Sequence, residues 1–381
     1  RGLGDVYKRQ LILTVLIKIM NSNKTIAIWA PLRYANVGDD MQAIAFALYI
    51  KKLEYDVKLY QLDEELAQLY NLKSVSTVDE LCKDVNLVVI AGGALLTPFK
   101  WYKRILNKAA REYEADFKDL FIATKKYPNV KFCAISMGGD GQVKKPETWY
   151  SRWRIDFFRS PSFLNGTVRL SGDVKQMKLA FGKDFKYHAD MLFRTPDYFE
   201  YDLLPQTNKI RVCLQFKKGR YLDQKLLADI YRYAKENDDM EFHFITTHMP
   251  KIGLTYQYVP SKTSKNIYID TYKSPRQLLG ILASCDVTMT SMLHVGLMGL
   301  TVKTPFVSYR GPGKTKSFLK SIGGDWAILP KKITFEELRN QILIKKKEAL
   351  FKQYNEQSIS NMIEDSKQQY EFCRSIVEKY S

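Results

Sequence analysis

Five cysteines and four histidines are all that 381 residues hold of thiol and imidazole metal ligands, and neither set falls into a metal-binding pattern. The cysteines, at 82, 133, 213, 285 and 373, form no CxxC pair. His188, His243, His248 and His294 show no HExxH or related spacing, so no metal is expected. Four of the cysteines lie in or beside apolar segments such as Phe132-Cys133-Ala134 and Val212-Cys213-Leu214. Thiols there act as small buried hydrophobes, and an odd number of them fits a reducing cytoplasm. No apolar run reaches the roughly 20 residues of a membrane span. Neither GxGxxG nor GxxxxGK[ST] occurs in its proper context, which removes the familiar nucleotide-phosphate fingerprints. Acidic residues are scarce too, 41 against 59 Lys and Arg, for a net charge of +18. The lysines are spread along the chain rather than gathered in an arm, which argues against a nucleic-acid tail. Diffuse positive charge suits an anionic donor, an acidic glycan, an anionic membrane surface, or simply a lysine-rich genome.

The first residues carry no structural pattern. Asp5-Val6-Tyr7-Lys8-Arg9-Gln10 has the look of translated sequencing-adaptor sequence. Residues 1–23 are therefore set outside the fold, with Met20 as the expected start. A signal peptide is the competing reading, since Lys8-Arg9 precedes the apolar stretch Leu11 to Ile17. That stretch is short and no small-residue cleavage site follows it. Without it the expected place is the cytoplasm.

What the chain does have is alternation. Hydrophobic content of 45% and charged content of 26% describe a globular protein, and the length predicts two domains. From Lys24 strands and helices alternate, the pattern of mostly parallel sheets covered on both faces. Thr25 to Ala30, Leu87 to Ala91 and Lys131 to Ser136 read as buried strands ending near glycine: Gly38, Gly92-Gly93 and Gly138-Gly139. Asp39 and Asp40 suit a helix N-cap and first turn. Domain boundaries of 24–200 and 208–330 follow, with the polar stretch Phe199 to Asn208 as linker. Helices over 331–381 are expected to pack across both domains.

Chemistry concentrates near residue 294. His294 sits at the start of a helix that follows the apolar strand Asp286 to Thr290, and Arg310, Lys314 and Lys316 follow the next strand. Open α/β sheets hold ligands at that end of their strands, facing helix N-termini. An imidazole beside cations suits work on a small anion. The alternative is a structural ring bonded to a backbone carbonyl. For Arg169 the alternative is an ion pair with Asp173, for Lys314 and Lys316 a solvated loop, and for Asp39 a capping role.

These pieces carry a resemblance. Asn36-x-Gly38-Asp39, Val88 to Gly93, Ser136-Met137-Gly138, Val168-Arg169, Ala189-Asp190, and Leu293-His294 through Pro305, Ser308-Tyr309, Lys314 and Phe318-Leu319 to Gly323 resemble the polysaccharide pyruvyl transferase family. The likeness runs from Lys24 to about Trp326. It implies two Rossmann-like domains around a cleft (GT-B-like) and transfer of pyruvate from phosphoenolpyruvate to sugar hydroxyls, commonly as a cyclic ketal. The co-substrate is phosphoenolpyruvate, with no resident cofactor. The acceptor is a sugar, lipid-linked in one version, with peripheral contact at the anionic inner face of the membrane.

His294 is then the general acid/base, with Asp39 acting on the acceptor hydroxyl. Arg169, Lys217, Arg310, Lys314 and Ser291 are assigned to the donor. Asn36, Gly38, Gly92, Gly93, Met137, Gly138 and Tyr309 are assigned to the cleft lining, and Trp101 or Tyr309 could stack on a sugar. One departure matters: the family usually has Arg-Leu-His where this chain has Met292-Leu293-His294, so a fixed carboxylate or phosphate partner is missing. The alternatives are a glycosyltransferase using a nucleotide-sugar donor on the same architecture, and a catalytically impaired glycan-binding relative.

Overall fold

The computed structural model describes residues 25–97, 99, 101–139, 141–218, 223–249 and 257–380, excluding the side chains at 101, 103 and 109. The leader 1–23 lies outside the described residues. The first sheet has seven strands: β1 (Thr25–Trp29), β2 (Asp56–Tyr60), β3 (Lys73–Val75), β4 (Leu87–Ala91), β5 (Lys131–Met137), β6 (Phe163–Val168) and β7 (Phe185–Tyr187). The second has five: β8 (Ile210–Gln215), β9 (Met240–Ile245), β10 (Ile267–Asp270), β11 (Val287–Thr290) and β12 (Phe306–Ser308). Every ladder is parallel. Central strands such as β4, buried at every position, show why: with helices on both faces no position is left for solvent.

The helices that frame the cleft and the outer layer are α1 (Val37–Lys52), α2 (Trp101–Leu106), α3 (Lys108–Lys126), α4 (Arg152–Arg159), α5 (Ser171–Gln176), α6 (Gln224–Glu236), α7 (Pro275–Ser284), α8 (Leu293–Thr301), α9 (Gly313–Ser321) and α10 (Glu356–Tyr380). Residues 199–209 form the irregular connection between the sheets.

Strand order fixes where ligands go. The first sheet runs β3-β2-β1-β4-β5-β6-β7 and the second β10-β9-β8-β11-β12. In each the order reverses at its first strand, leaving a crevice beyond the carboxyl ends of β1 and β4, and of β8 and β11. The two crevices face each other. Val37 N–H donates to Thr247 O at 2.9 Å and Met249 N–H to Ala35 O at 3.3 Å, joining the loop after β1 to the loop after β9.

One apolar core is shared between the domains. Ile26, Ile44 and Cys133 belong to the same cluster as Leu278, Val295 and Tyr272. α10 ties the halves again: Ile359 near its start packs in the second domain's core, and Tyr370, Cys373 and Val377 pack in the shared one.

Candidate functional site

α1 begins because Asn36, in extended backbone, accepts the Gly38 N–H at 3.0 Å. Asn36 is therefore the cap, and Asp39 and Asp40 occupy the first turn, where negative charge suits the helix dipole. This removes capping as the role of Asp39. Asn36 also reaches His248 Nε2 at 3.2 Å across the cleft floor. Gly38 has a steric reason: a methyl built on it would lie 2.2 Å from His294 Nδ1. The imidazole thus rests on the first turn of α1, while its own backbone is the second residue of α8.

The first-domain wall is built around Arg169. Its guanidinium pairs with Asp190 at 3.1 Å, not with Asp173. Asp190 also accepts from Gln42 Nε2 at 2.8 Å, and Gln42 Oε1 accepts the Gly93 N–H at 3.0 Å. Asp173 instead accepts the N–H groups of Gly139 and Gly141, at 2.7 and 3.0 Å.

The glycines singled out in the sequence mostly make room for these side chains. A methyl on Gly92 would strike Gln42, and one on Gly138 would lie 2.4 Å from Arg169 Nε. Gly92 and Gly93 also adopt left-handed backbone, at φ +67° and +79°. They support the wall rather than line it. Met137 is fully buried and likewise faces no cleft.

The second-domain wall carries His294 and Lys314. Lys314 stands in the first turn of α9, so it is a helix residue rather than part of the solvated loop that was its alternative. Arg169, Asp190, His294 and Lys314 line one cavity of about 660 Å³ with Gly139, Gly141 and Ser171. Its outer side is apolar: Phe193, Leu293, Leu297, Phe318 and Met362. A larger cavity, about 860 Å³, opens at the amino ends of β1 to β3. That is the wrong end of a parallel sheet for a ligand, and Lys58 there already bonds the carbonyls of Glu80 and Lys83.

The titrating groups of the cavity, and Asp39 near them but outside its lining, influence one another. Burial, then the charges of Arg169 and Lys314, hold His294 well below the usual histidine range, so the ring is neutral. Burial and the neighbouring Arg169 push Lys314 down to about 8. Burial lifts Asp39 up to about 6, against the pull of Arg169 and Lys314. Lys217 adds to the positive field at Lys314.

Other expected site residues lie elsewhere. Arg310 bonds Asp223 at 3.2 Å and the Lys331 carbonyl at 2.7 Å, away from the cavity. Tyr309 is 1% exposed, stacks edge-on against Phe216, and bonds Asp223, so it offers no face to a sugar. Trp101's side chain lies outside the described residues. Ser291 is buried with its hydroxyl on Gln215 Oε1 at 3.3 Å. Met292 is half-buried, its sulfur accepting from Thr247 at 3.4 Å.

Sequence reasoning passed over Gln42 and His248. His248 bonds Gln257 at 2.8 Å, and burial pushes its ring down to about 4. Only the pairing of their partners in space reveals either residue. Among the described residues no cluster of three His, Cys, Asp or Glu side chains is placed to hold a metal ion.

Comparison with known proteins agrees with this architecture. The model of the polysaccharide pyruvyl transferase family matches residues 185–310, about a third of the chain. That span includes Ala189-Asp190 and Leu293-His294 through Tyr309, while the pieces near Asn36, Gly92, Gly138 and Arg169 lie outside it. No curated protein sequence matches the chain. Among solved structures, Staphylococcus aureus MnaA in complex with UDP is similar at TM-score 0.55 and 10% identity, covering 89% of this chain and 92% of that one. The UDP-GlcNAc 2-epimerase of Neisseria meningitidis, bound to UDP-GlcNAc, gives TM-score 0.54 and 9% identity over 92% and 99%. A putative UDP-N-acetylglucosamine 2-epimerase of Listeria monocytogenes gives 0.50 and 10% over 90% and 91%.

At such identities the likeness is one of fold: two parallel-sheet α/β domains in a GT-B-like arrangement. Over residues 185–310 the chain resembles the polysaccharide pyruvyl transferases, a family of transferases.

Proposed function

We propose that this protein transfers the pyruvate unit of phosphoenolpyruvate to a pair of hydroxyls on a glycan, releasing phosphate. The observation that carries this reading is the meeting of His294, Arg169 and Lys314 around one cavity where the two switch points face each other. A proton goes to the methylene carbon of the donor, and a sugar hydroxyl bonds the cationic carbon beside it. Phosphate departs with its oxygen, and a second hydroxyl closes the ketal; one hydroxyl proton replaces the one given to the methylene carbon, and the other leaves on phosphate. Arg169 and Lys314 hold carboxylate and phosphate, with Lys217 adding charge from the side.

The neutral state of His294 fits this order of events. Burial, and after it the charges of Arg169 and Lys314, keep the proton off the ring, and an anionic donor lying between the two cations offsets their share. Donor binding therefore raises the ring's proton affinity and readies it as general acid. Asp39, at about 6, is suited to take a hydroxyl proton. Met292 leaves the donor without the family's arginine, so Lys314 carries more of the binding. The acceptor is a sugar of a polysaccharide or its precursor, lipid-linked and met at the cytoplasmic face of the membrane. Among the described residues no helix is long and apolar enough to cross a membrane.

Calorimetric titration of phosphoenolpyruvate into the protein and its His294→Ala and Met292→Arg variants tests this. Binding, tightened by Met292→Arg, supports the donor site. UDP and UDP-GlcNAc are titrated alongside, because structurally similar proteins hold them. Uptake of a nucleotide ligand with none of phosphoenolpyruvate would replace pyruvyl transfer by glycosyl transfer.

A further inference from the structure

The outer helical layer of the first domain turns apolar side chains toward water. On α2, Ile105 is 59% and Leu106 78% exposed, with Tyr102 beside them. Ile122 of α3 and Trp153 of α4 are exposed as well. These make five of the twelve large apolar side chains exposed among the described residues, all of them on three neighbouring helices.

The three helices are contiguous. Arg111 of α3 donates to the Ile105 carbonyl at 2.5 Å, and Trp153 lies 6.0 Å from Phe121 of α3, ring to ring. An ordinary surface helix turns its apolar stripe inward; the exposed part of α2 does the reverse.

The same helices carry an excess of cations. Lys108 pairs with Glu112 and Arg152 with Asp156, which leaves Arg104, Arg111, Lys118 and Lys125 against Asp119. Lys118 lies 5.7 Å over the Trp153 ring, its charge beside an aromatic that faces solvent. Apolar and aromatic side chains at the tip with Lys and Arg around them is the composition of a surface that lies on a lipid interface. α2 also follows the carboxyl end of β4, the end of the sheet that bears the cleft.

The geometry points to this face, formed by α2, α3 and α4, as a docking surface for an anionic lipid bilayer. Tyr102, Ile105, Leu106 and Trp153 enter the headgroup layer, and the surrounding cations meet lipid phosphates. Docking there sets the cleft beside the membrane and is independent of which donor the cleft takes.

The test is co-sedimentation of the full chain with vesicles of phosphatidylcholine alone, or with added phosphatidylglycerol. The protein is expected to pellet with the anionic vesicles and to be released by salt. Ile105→Asp combined with Leu106→Asp is expected to weaken partition by about tenfold or more. Both sites are exposed, so thermal unfolding and phosphoenolpyruvate affinity should stay as in the parent.

Equal binding to both vesicle types, or partition unmoved by the double variant, overturns the proposal. So does sedimentation velocity showing a dimer that the double variant dissociates, since a second copy would then own the face. Vesicle binding with no phosphoenolpyruvate binding would leave this surface standing and remove pyruvyl transfer alone.

Discussion

The two walls of the cleft are built on opposite plans. On the first-domain side the charge of Arg169 is met at once by Asp190, and Asp190 is held in turn by Gln42, itself fixed on the Gly93 backbone. On the second-domain side Lys314 and His294 are each displaced toward their neutral forms by burial and by neighbouring cations. The first wall is a satisfied network that fixes geometry. The second stores unfavourable charge, which makes it the side more responsive to its surroundings.

The largest expected effect lies on the responsive side. His294→Gln should lower turnover by ~10²–10⁴-fold with the fold intact, read as donor-dependent phosphate release. A variant with parental turnover would take the imidazole out of the chemistry.

The sharpest contrast between the walls comes from stability. Arg169→Met strands the Asp190 carboxylate and should cost about 3–5 kcal/mol in denaturant unfolding. Lys314→Met removes a charge that folding disfavours and should be neutral or stabilising. Equal losses at both positions would erase the distinction drawn here.

Gly38→Ala comes next. Its methyl cannot coexist with the imidazole where it now stands, and overpacking of about 1–3 kcal/mol should appear in thermal unfolding together with lost activity.

The smallest effect is a pH dependence. Lys314 titrates near 8, below the usual lysine value of 10.5, so donor affinity should fall as pH rises through 8 and should be flat in Lys314→Met. The folded value lies below the unfolded one, so between these two pH values the unfolded chain holds more protons. Stability linked to Lys314 therefore rises with pH across that window. Calorimetry at several pH values, and denaturation alongside, measure both.

The strands and helix starts around His294 were legible because they are local: an apolar run, then a turn, then a helical repeat. α7 starts at Pro275, a residue type suited to the first helical position, after the capping Ser274. β2 and β3 were not anticipated. Asp56-Val57-Lys58-Leu59-Tyr60 interrupts its apolar pattern with a lysine whose ammonium is taken up by distant carbonyls.

The site was legible only in part, for a similar reason. Arg310 and Tyr309 sit in the right stretch of sequence but are claimed by Asp223, more than 80 residues away. Gln42 passed unnoticed because a glutamine inside an apolar helix reads as its solvent side. Here it is fully buried, and it holds the carboxylate on which Arg169 depends.

The backbone stitch between Val37 and Thr247, and between Ala35 and Met249, lies at the bottom of the cleft, next to Asn36 and His248. The halves cannot part there without giving up main-chain bonds in a buried place. The imidazole of His294, set against Gly38 beside this stitch, is therefore tied to both halves at once, as a page is sewn in at the spine of a book.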